Sequence, residues 1–327
     1  MKIFRGCKHP ELASACALTI GNFDGGHRGH QAMLSLLRGE AQQRGVPSCV
    51  LTFEPHPRDY FAGLTHNPAR APARVGTLRD KLCDLAACGV DQTVVLPFTA
   101  QLADLPPMDF IERVLLQGLG ATYVLVGDDF RFGARRAGDY ALLDQVGMER
   151  GFDVARMNSY EVHNLRVSSS AVRAALGEGR MKDAARLMGH PYRISGHVVH
   201  GRKLGRSLGF KTLNQRFAHW KPAASGIFAV LVYGLGAQPL RGVANLGVRP
   251  SLDPRDVNGG RVLLETHCLY WPAHLGAEGA YGKIVRVELL HRLHDERKYD
   301  SLDALTAGIG QDCLDARAYF DSHPISL

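Results

Sequence analysis

The sequence predicts two linked architectures: an N-terminal α/β domain with a doubly wound parallel sheet, and a C-terminal small antiparallel β-barrel with a closing helix. Three observations carry this expectation. The first half alternates short apolar runs with amphipathic helical patterns in the order βαβαβαβα, which calls for crossover connections and a sheet covered on both faces. The texture changes at Leu187–Arg193, where Gly189 and Pro191 end a helical stretch and glycine-punctuated β patterns take over. The length, 327 residues, exceeds the usual size of one domain, so two are expected, at 1–186 and 187–327.

Taken in order, the candidate strands of the first half are Ala17–Ile20, Ser48–Phe53, Thr93–Leu96, Thr122–Val126 and Asp153–Met157. Helices are expected at His30–Arg44 ending at Gly45, at Leu78–Ala87 after a Thr77 cap, at Met108–Leu116, and at Tyr140–Arg150 ending at Gly151. The connection Glu54–Gly76 is long and rich in proline and alanine, either a flexible insert or a lid, and its position after a strand favours a lid. In the second half strands are expected at Ile194–His200, Gly226–Tyr233, Arg241–Leu246, Val262–Leu269 and Ile284–Leu293. A closing helix begins at a Ser301 cap and shows its apolar stripe in Leu302, Leu305, Ile309, Leu314 and Phe320.

Composition narrows the class. With 45% hydrophobic and 22% charged residues the chain has ordinary globular usage, and no apolar run approaches the ~20 residues of a membrane span. The opening MKIFRGCKHPELAS has no apolar signal core, so a cytoplasmic protein is expected. Seven cysteines without a C-x-x-C pair argue against a zinc site and a disulfide framework, and for reduced thiols. The net charge of +7 points to acidic ligands. Because the basic residues form no dense block and no aromatic RNA-binding signature accompanies them, phosphorylated small molecules are expected rather than nucleic acid.

Chemistry concentrates in two places. In Ala17–Gln31, ALTIGNFDGGHRGHQ, a strand feeds a glycine turn and then a helix, whose free N–H groups and positive dipole end form an anion site. His27 and His30, three apart, can both turn toward a phosphate there. A second anion site is Ser168-Ser169-Ser170-Ala171-Val172-Arg173, where hydroxyls, helix N–H groups and a guanidinium all donate to phosphate oxygens. Each has a plainer reading, a turn histidine and a serine cap; together, with the strand order, they suit transfer of a nucleotidyl group. No phosphate-loop, dinucleotide, protein-kinase or H-E-x-x-H motif is present.

These stretches resemble a known family. GNFDGGHRGH at 21–30, TFEPHP at 52–57, VGDDFRFG at 126–133 and VSSSAVR at 167–173 are similar to the signatures of the adenylyltransferase module of bifunctional bacterial riboflavin kinase/FAD synthetases. GHVVHGRKLGRSLGFKTLN at 196–214, SGIFAV at 225–230, NLGVRP at 245–250, LETH at 264–267 and HDERKYDSLDAL at 294–305 continue the resemblance into the riboflavin kinase module. The resemblance implies a Rossmann-like nucleotidyltransferase domain and a kinase barrel. It also implies Mg²⁺, with ATP, riboflavin, FMN and FAD as substrates or products, and flavin-dependent apoenzymes as acceptors of the FAD. By the same resemblance His27 and His30 contact the ATP phosphates in the transition state, Ser168, Ser169 and Arg173 hold the leaving β,γ-phosphates, and Gly21, Phe23 and Ser170 belong to the ATP site. Asn22, His56, Pro57, Asp129 and Phe130 are expected around the flavin. In the kinase module Glu265 is the implied base, Thr212 and Asn214 the metal ligands, and Gly201 and Gly209 phosphate-approaching glycines, with Arg202, Lys203 and Arg206 nearby.

The chain departs from the family pattern in its second half. Lys211 and Leu213 replace a proline and an alanine around Thr212, and the ammonium either competes with Mg²⁺ or helps to bind ATP. Leu269–Gly282 is poor in acid where the family carries acidic residues, His294 stands in an arginine's place, and Ser170 replaces a threonine. Two rivals therefore stand beside the bifunctional enzyme: a transferase with a weakened or inactive kinase domain, and a non-catalytic flavin or nucleotide sensor.

Overall fold

The computed structural model describes residues 1–67, 71–158, 160–162, 165–201, 208–219, 221–248, 262–276 and 278–324. They form two compact units, Met1–Pro72 with Lys81–Ser168, and Ala73–Asp80 with Ser169–Leu327.

The first unit is built on six strands: β1 (Lys2–Arg5), β2 (Cys16–Ile20), β3 (Ser48–Glu54), β4 (Gln92–Pro97), β5 (Ala121–Gly127) and β6 (Asp153–Met157). They pair in the order β1-β4-β3-β2-β5-β6, every neighbour parallel. Successive side chains go to opposite faces, and the apolar residues sort accordingly. Leu18, Ile20, Cys49, Leu51, Val94 and Val124 enter one core. Ala17, Val50, Tyr123 and Leu125 enter another, together with Leu34, Leu37 and Ala41 of α1 (Arg28–Arg44). β2 is buried along its whole length, as a strand covered on both faces must be.

The expected strands are all present, and β1 is an addition: KIFR is too short and mixed to announce itself, yet it pairs along the edge with β4. The segment expected as a flexible insert or a lid holds α2 (Pro57–Leu64), with Pro57 in its first turn and the His56 ring accepting from the Arg58 N–H at 3.0 Å. Ahead of α3 (Leu78–Ala87), Thr77 Oγ1 accepts from the Asp80 N–H, and the Asp80 carboxylate accepts back from the Thr77 N–H, both at 3.1 Å. This reciprocal cap explains why the helix begins where the sequence predicts. The stretch expected as one helix at Met108–Leu116 instead widens over Phe110–Leu116, the Gln117 N–H reaching the Glu112 carbonyl five residues back. α4 (Tyr140–Arg150) has the expected bounds. A short pair, β7 (Glu161–Val162) and β8 (Leu165–Arg166), leads to the serine run.

The second unit is a closed six-stranded barrel in the order β10-β13-β12-β11-β14-β9, all neighbours antiparallel. Its strands are β9 (Tyr192–Val199), β10 (Thr212–Phe217), β11 (Gly226–Tyr233), β12 (Leu240–Val248), β13 (Val262–Cys268) and β14 (Ile284–His294). β10 is the strand the sequence pattern conceals. Its inward positions are Leu213, Gln215 and Phe217, and the buried Gln215 amide donates to the carbonyls of Gly196 and Val285 at 3.3 and 3.0 Å, so a polar residue sits where an apolar one would have marked the strand. The helix α7 (Leu302–Ser322) starts at the expected cap, Ser301 Oγ accepting from the Ala304 N–H at 3.1 Å. Its Cys313, Ala316 and Phe320 cover the outer face of the barrel at Ile227, Ala229, Leu231 and Val243.

By compactness the chain divides between Ser168 and Ser169 rather than between 186 and 187. The reason is packing: Val172, Ala175 and Leu176 of α5 (Ser169–Gly177), and Met181, Ala184 and Met188 of α6 (Met181–Met188), join the barrel's interior cluster with Tyr192, Phe228 and Leu289. Residues 73–80 go with it: the Arg74 N–H donates to the Lys221 carbonyl, the Arg74 carbonyl accepts from the Ala223 N–H, and the Asp80 carboxylate accepts from the Ser195 N–H. No helix among the described residues is long and apolar enough to cross a membrane.

Candidate active sites

In the first unit the chain winds from β2 outward through β3 to β4 and then returns to β5 on the other side of β2, so the strand order reverses between β2 and β5. In such sheets ligands bind beyond the strand ends at that switch point. The loop after β2 carries Gly21, Asn22, Phe23, His27 and His30; the loop after β5 carries Asp129 and Phe130. The topology thus brings together two groups of predicted residues that lie a hundred positions apart.

The turn is held from within. Gly21 gives its N–H to Leu51, and a side chain there would meet the Phe23 ring at 3.0 Å. Phe23 adopts a left-handed backbone (φ 48°), rare for an aromatic residue, and its ring is buried against His30 with centroids 5.0 Å apart. Phe23, expected among the ATP-site residues, is 2% exposed and packs its ring against that of His30. His27 is the N-cap of α1: its Nδ1 accepts from the His30 N–H at 3.2 Å, so a neutral ring carries its proton on Nε2, where it is a donor. The two imidazoles stack at 3.6 Å, 15° from parallel. α1 has no acidic residue in its first turn to offset the positive end of the helix dipole. Asn22 contributes a buried Oδ1 with no hydrogen-bond partner among the described residues.

The serine run is also placed. Gly29 has no Cβ where one would lie 3.4 Å from the Val167 carbonyl, so the chain just before Ser168 runs against the start of α1. Ser169 opens α5, which has no acid in its first turn, and Ser170 is exposed on it. Arg173 lies one turn on and its Nε donates to the Ala73 carbonyl at 2.7 Å. Asp129 is exposed, while Phe130 stacks on Phe132 at 5.4 Å and is partly buried in the sheet's core. His56, capping α2, and Pro57, opening it, follow the end of β3.

The second unit has its own cavity, about 230 Å³, on the outer face of the barrel beside α7. Its polar wall is written in the strand register. Thr212 lies opposite His267, and Asn214 lies opposite Glu265, so the predicted metal ligands and base share one surface of β10 and β13. Gly201 faces the same group: a Cβ there would lie 2.7–2.9 Å from the Asn214 amide, so this glycine makes room for Asn214. Gly209 serves a turn, with φ 86° and open space around it. The Asn214 amide donates to the Thr212 carbonyl at 3.4 Å and leaves Oδ1 buried without a partner among the described residues, a hard oxygen of the kind Mg²⁺ takes. Apolar walls come from Phe210, Ile227, Val243, Leu305 and Ile309. Arg202, Lys203 and Arg206 lie outside the described residues.

A family model for FAD synthetase matches residues 9–171 and one for riboflavin kinase matches residues 188–320. The bifunctional riboflavin kinase/FMN adenylyltransferase of Escherichia coli (strain K12) is 43% identical over 322 residues, 98% of each chain. The chain belongs to the bifunctional riboflavin kinase/FMN adenylyltransferase family. Family members from Pseudomonas fluorescens and Haemophilus influenzae are 40% and 39% identical, covering 97% and 98% of this chain and 97% and 100% of their own. The crystal structure of a macrolide-efflux protein from Streptococcus pneumoniae covers 97% of this chain and 99% of its own with a TM-score of 0.74; at 24% identity it shows the fold alone.

Beside the residues expected from the riboflavin kinase pattern, the cavity includes three that sequence reasoning passed over: Asn245, Glu296 and Asp312. Asn245 lies opposite Glu265 on β12, a neighbour visible only once the register is known. Glu296 packs where a Gly247 side chain would otherwise stand. Asp312 accepts from His294 Nε2 at 2.7 Å, while His294 Nδ1 meets the Asp295 carbonyl at 2.6 Å.

Proposed function

We propose that the chain carries out both reactions of its family: phosphorylation of riboflavin by ATP at the barrel, and adenylylation of the resulting FMN by a second ATP at the parallel sheet. The observation that carries this reading is the convergence of Thr212, Asn214 and Glu265 on one cavity wall in the barrel; the first unit has, separately, a stacked histidine pair, one of them the cap of α1, at the switch point of its sheet.

In the barrel, Glu265 takes the proton of the terminal ribityl hydroxyl as its oxygen attacks the γ-phosphorus and ADP leaves. Thr212 and Asn214 would hold Mg²⁺, which neutralises polyphosphate charge; the orphan Asn214 oxygen fits that duty. In the sheet domain the FMN phosphate is already a competent nucleophile, attacking the α-phosphorus of ATP as pyrophosphate leaves, so the protein need only align the reactants and stabilise charge. His27 and His30 donate to the α-phosphate side, and Ser168, Ser169 and Arg173 are assigned to the leaving pyrophosphate. Gly21 and Asn22 shape the turn, while Asp129, Phe130, His56 and Pro57 are assigned to the flavin. The seven cysteines are all free thiols, which suits a cytoplasmic workplace from which FAD passes to flavin-dependent apoenzymes.

A time course of riboflavin, FMN and FAD with Mg-ATP tests the reading. His30→Ala should slow FAD formation by roughly 10²–10³-fold and spare FMN formation, the scale for losing one transition-state donor. Glu265→Gln should do the reverse. Absence of FMN from riboflavin in the wild type would leave a transferase alone; absence of pyrophosphate release from FMN and ATP would leave a binding protein.

A further inference from the structure

The barrel's polar wall has an order that the proposed kinase reaction leaves half explained. In register, Asn214 of β10 is paired with Glu265 of β13, and Glu265 is paired on its other side with Asn245 of β12. The three therefore form one row across three adjacent strands, on the same face, and all three line the cavity. Neighbouring strands are about 4.8 Å apart, which separates the two asparagines by roughly 10 Å with the glutamate between them. Both ends of the row carry a buried side-chain oxygen, Asn214 Oδ1 and Asn245 Oδ1, that accepts nothing among the described residues. A buried acceptor left without a donor is costly, and such groups in native sites are ordinarily satisfied by a ligand or water.

We propose that Asn245 is a substrate-positioning and specificity residue, its Oδ1 accepting a hydrogen bond from a secondary hydroxyl of the polyol chain whose terminal hydroxyl is phosphorylated at Glu265. The inference rests on the kinase reading above and follows from direction. The attacking oxygen lies in line with the leaving group across the γ-phosphorus, and its own carbon is a separate substituent, so the alcohol chain extends away from the phosphate donor. Thr212 and Asn214 fix the phosphate side at β10. The alcohol must then run from Glu265 toward β12, where Asn245 is the polar residue of the same row. Beyond it the wall becomes apolar at Ile227 and Val243, suited to an aromatic ring system rather than to further hydroxyls. Asn245 would thus distinguish a polyol-bearing flavin from one bearing a plain alkyl alcohol, because a site built around a hydroxyl leaves its own acceptor unpaired when that hydroxyl is missing.

The test compares two acceptors in the full-length chain: riboflavin, and an isoalloxazine carrying an unbranched ω-hydroxyalkyl chain of the same length, which keeps the reacting hydroxyl and lacks the others. Asn245→Ala should lower kcat/KM for riboflavin roughly 10- to 100-fold while changing that for the hydroxyalkyl flavin by less than about 3-fold, so that the wild-type preference collapses. Asn245→Asp, which keeps the acceptor, should retain the preference for riboflavin over the hydroxyalkyl flavin. Thermal unfolding of each variant checks the barrel. An unchanged riboflavin rate in Asn245→Ala, or equal losses on both flavins in a protein that melts like wild type, overturns the assignment. A wild type that phosphorylates neither flavin overturns the kinase reading itself and is told apart by that.

Discussion

Replacing Gly201 by alanine tests the kinase site through a residue that touches it only by leaving room. The backbone of Gly201 is not in the left-handed region, so alanine brings no conformational strain; its methyl group, however, would lie 2.7 Å from Asn214 Nδ2 and 2.9 Å from Cγ and Oδ1. Ordinary contact begins near 3.4 Å, so the amide must retreat by about 0.7 Å. An amide at the end of a two-torsion side chain can do this at a stability cost of about 1 kcal/mol or less, the price of a modest departure from its rotamer. Function is less forgiving. Asn214 Oδ1 is the oxygen assigned to the metal, and a displacement approaching 1 Å of a positioning group costs about 10²-fold in rate. Gly201→Ala should therefore form FMN about 10²-fold more slowly and demand more Mg²⁺ for half-maximal rate, while FAD formation from FMN and the melting temperature stay near wild type. FMN and FAD resolved by chromatography across a Mg²⁺ titration measure this. Full kinase activity in the variant would mean that the position of Asn214 does not matter to the reaction.

Burial decides the thiol chemistry. It pushes Cys7 and Cys313 up to about 11 and Cys268 to about 12; it also raises Cys88, and a hydrogen bond with Cys16, followed by burial, raises Cys49 well above the ordinary thiol range. Cys83 alone is exposed, so a disulfide reagent at neutral pH should find one fast thiol in the native protein and seven in denaturant; three or more fast thiols would contradict the packing. His291, stacked on Tyr319 at 5.0 Å, is held below its ordinary value of 6.5 by burial first and then by His323 and Lys182. Its folded state binds fewer protons than the unfolded chain, so stability is intact above that value and is lost as pH falls through the lower folded one. His291→Gln should flatten the acid side of a stability-against-pH curve, and an unchanged acid limb would show that the ring titrates as in solvent.

Much of this was legible in the sequence because the physics was local. β2 through β5 are short, mostly buried runs bounded by turn residues, and the helices at 78–87 and 140–150 carry their own caps in Thr77, Asp139 and Gly151. What stayed hidden depended on partners far along the chain. β10 buries Gln215 where a strand would show an apolar residue, because the acceptors that satisfy that amide are on β9 and β14. Residues 169–188 look like the end of the first domain until the barrel interior they pack into is known. Asn245 is one polar residue in a glycine-rich stretch, and only antiparallel register places it beside Glu265.

Register also settles what the departures from the riboflavin kinase pattern touch. In a strand, alternate residues face opposite ways, so the two positions flanking Thr212 cannot share its face. Leu213 accordingly points into the barrel and is 6% exposed in the interior cluster with Leu264, Ala244 and Leu246; the larger residue fills core, and the cavity wall of Thr212 and Asn214 is unchanged by it. Lys211 is exposed, and its carbonyl is what orients the His267 ring, accepting from Nδ1 at 2.8 Å. His294 has a structural role of its own. With one ring nitrogen on the Asp295 carbonyl and the other on the nearly buried Asp312 carboxylate, it ties the end of β14 to α7 at the edge of the cavity. Of the departures that made a weakened kinase conceivable, Leu213 thus falls on the barrel core, Lys211 on the solvent side and His294 on a strand-to-helix tie, while Asn214, Glu265 and Asn245 stand in one row across β10, β13 and β12.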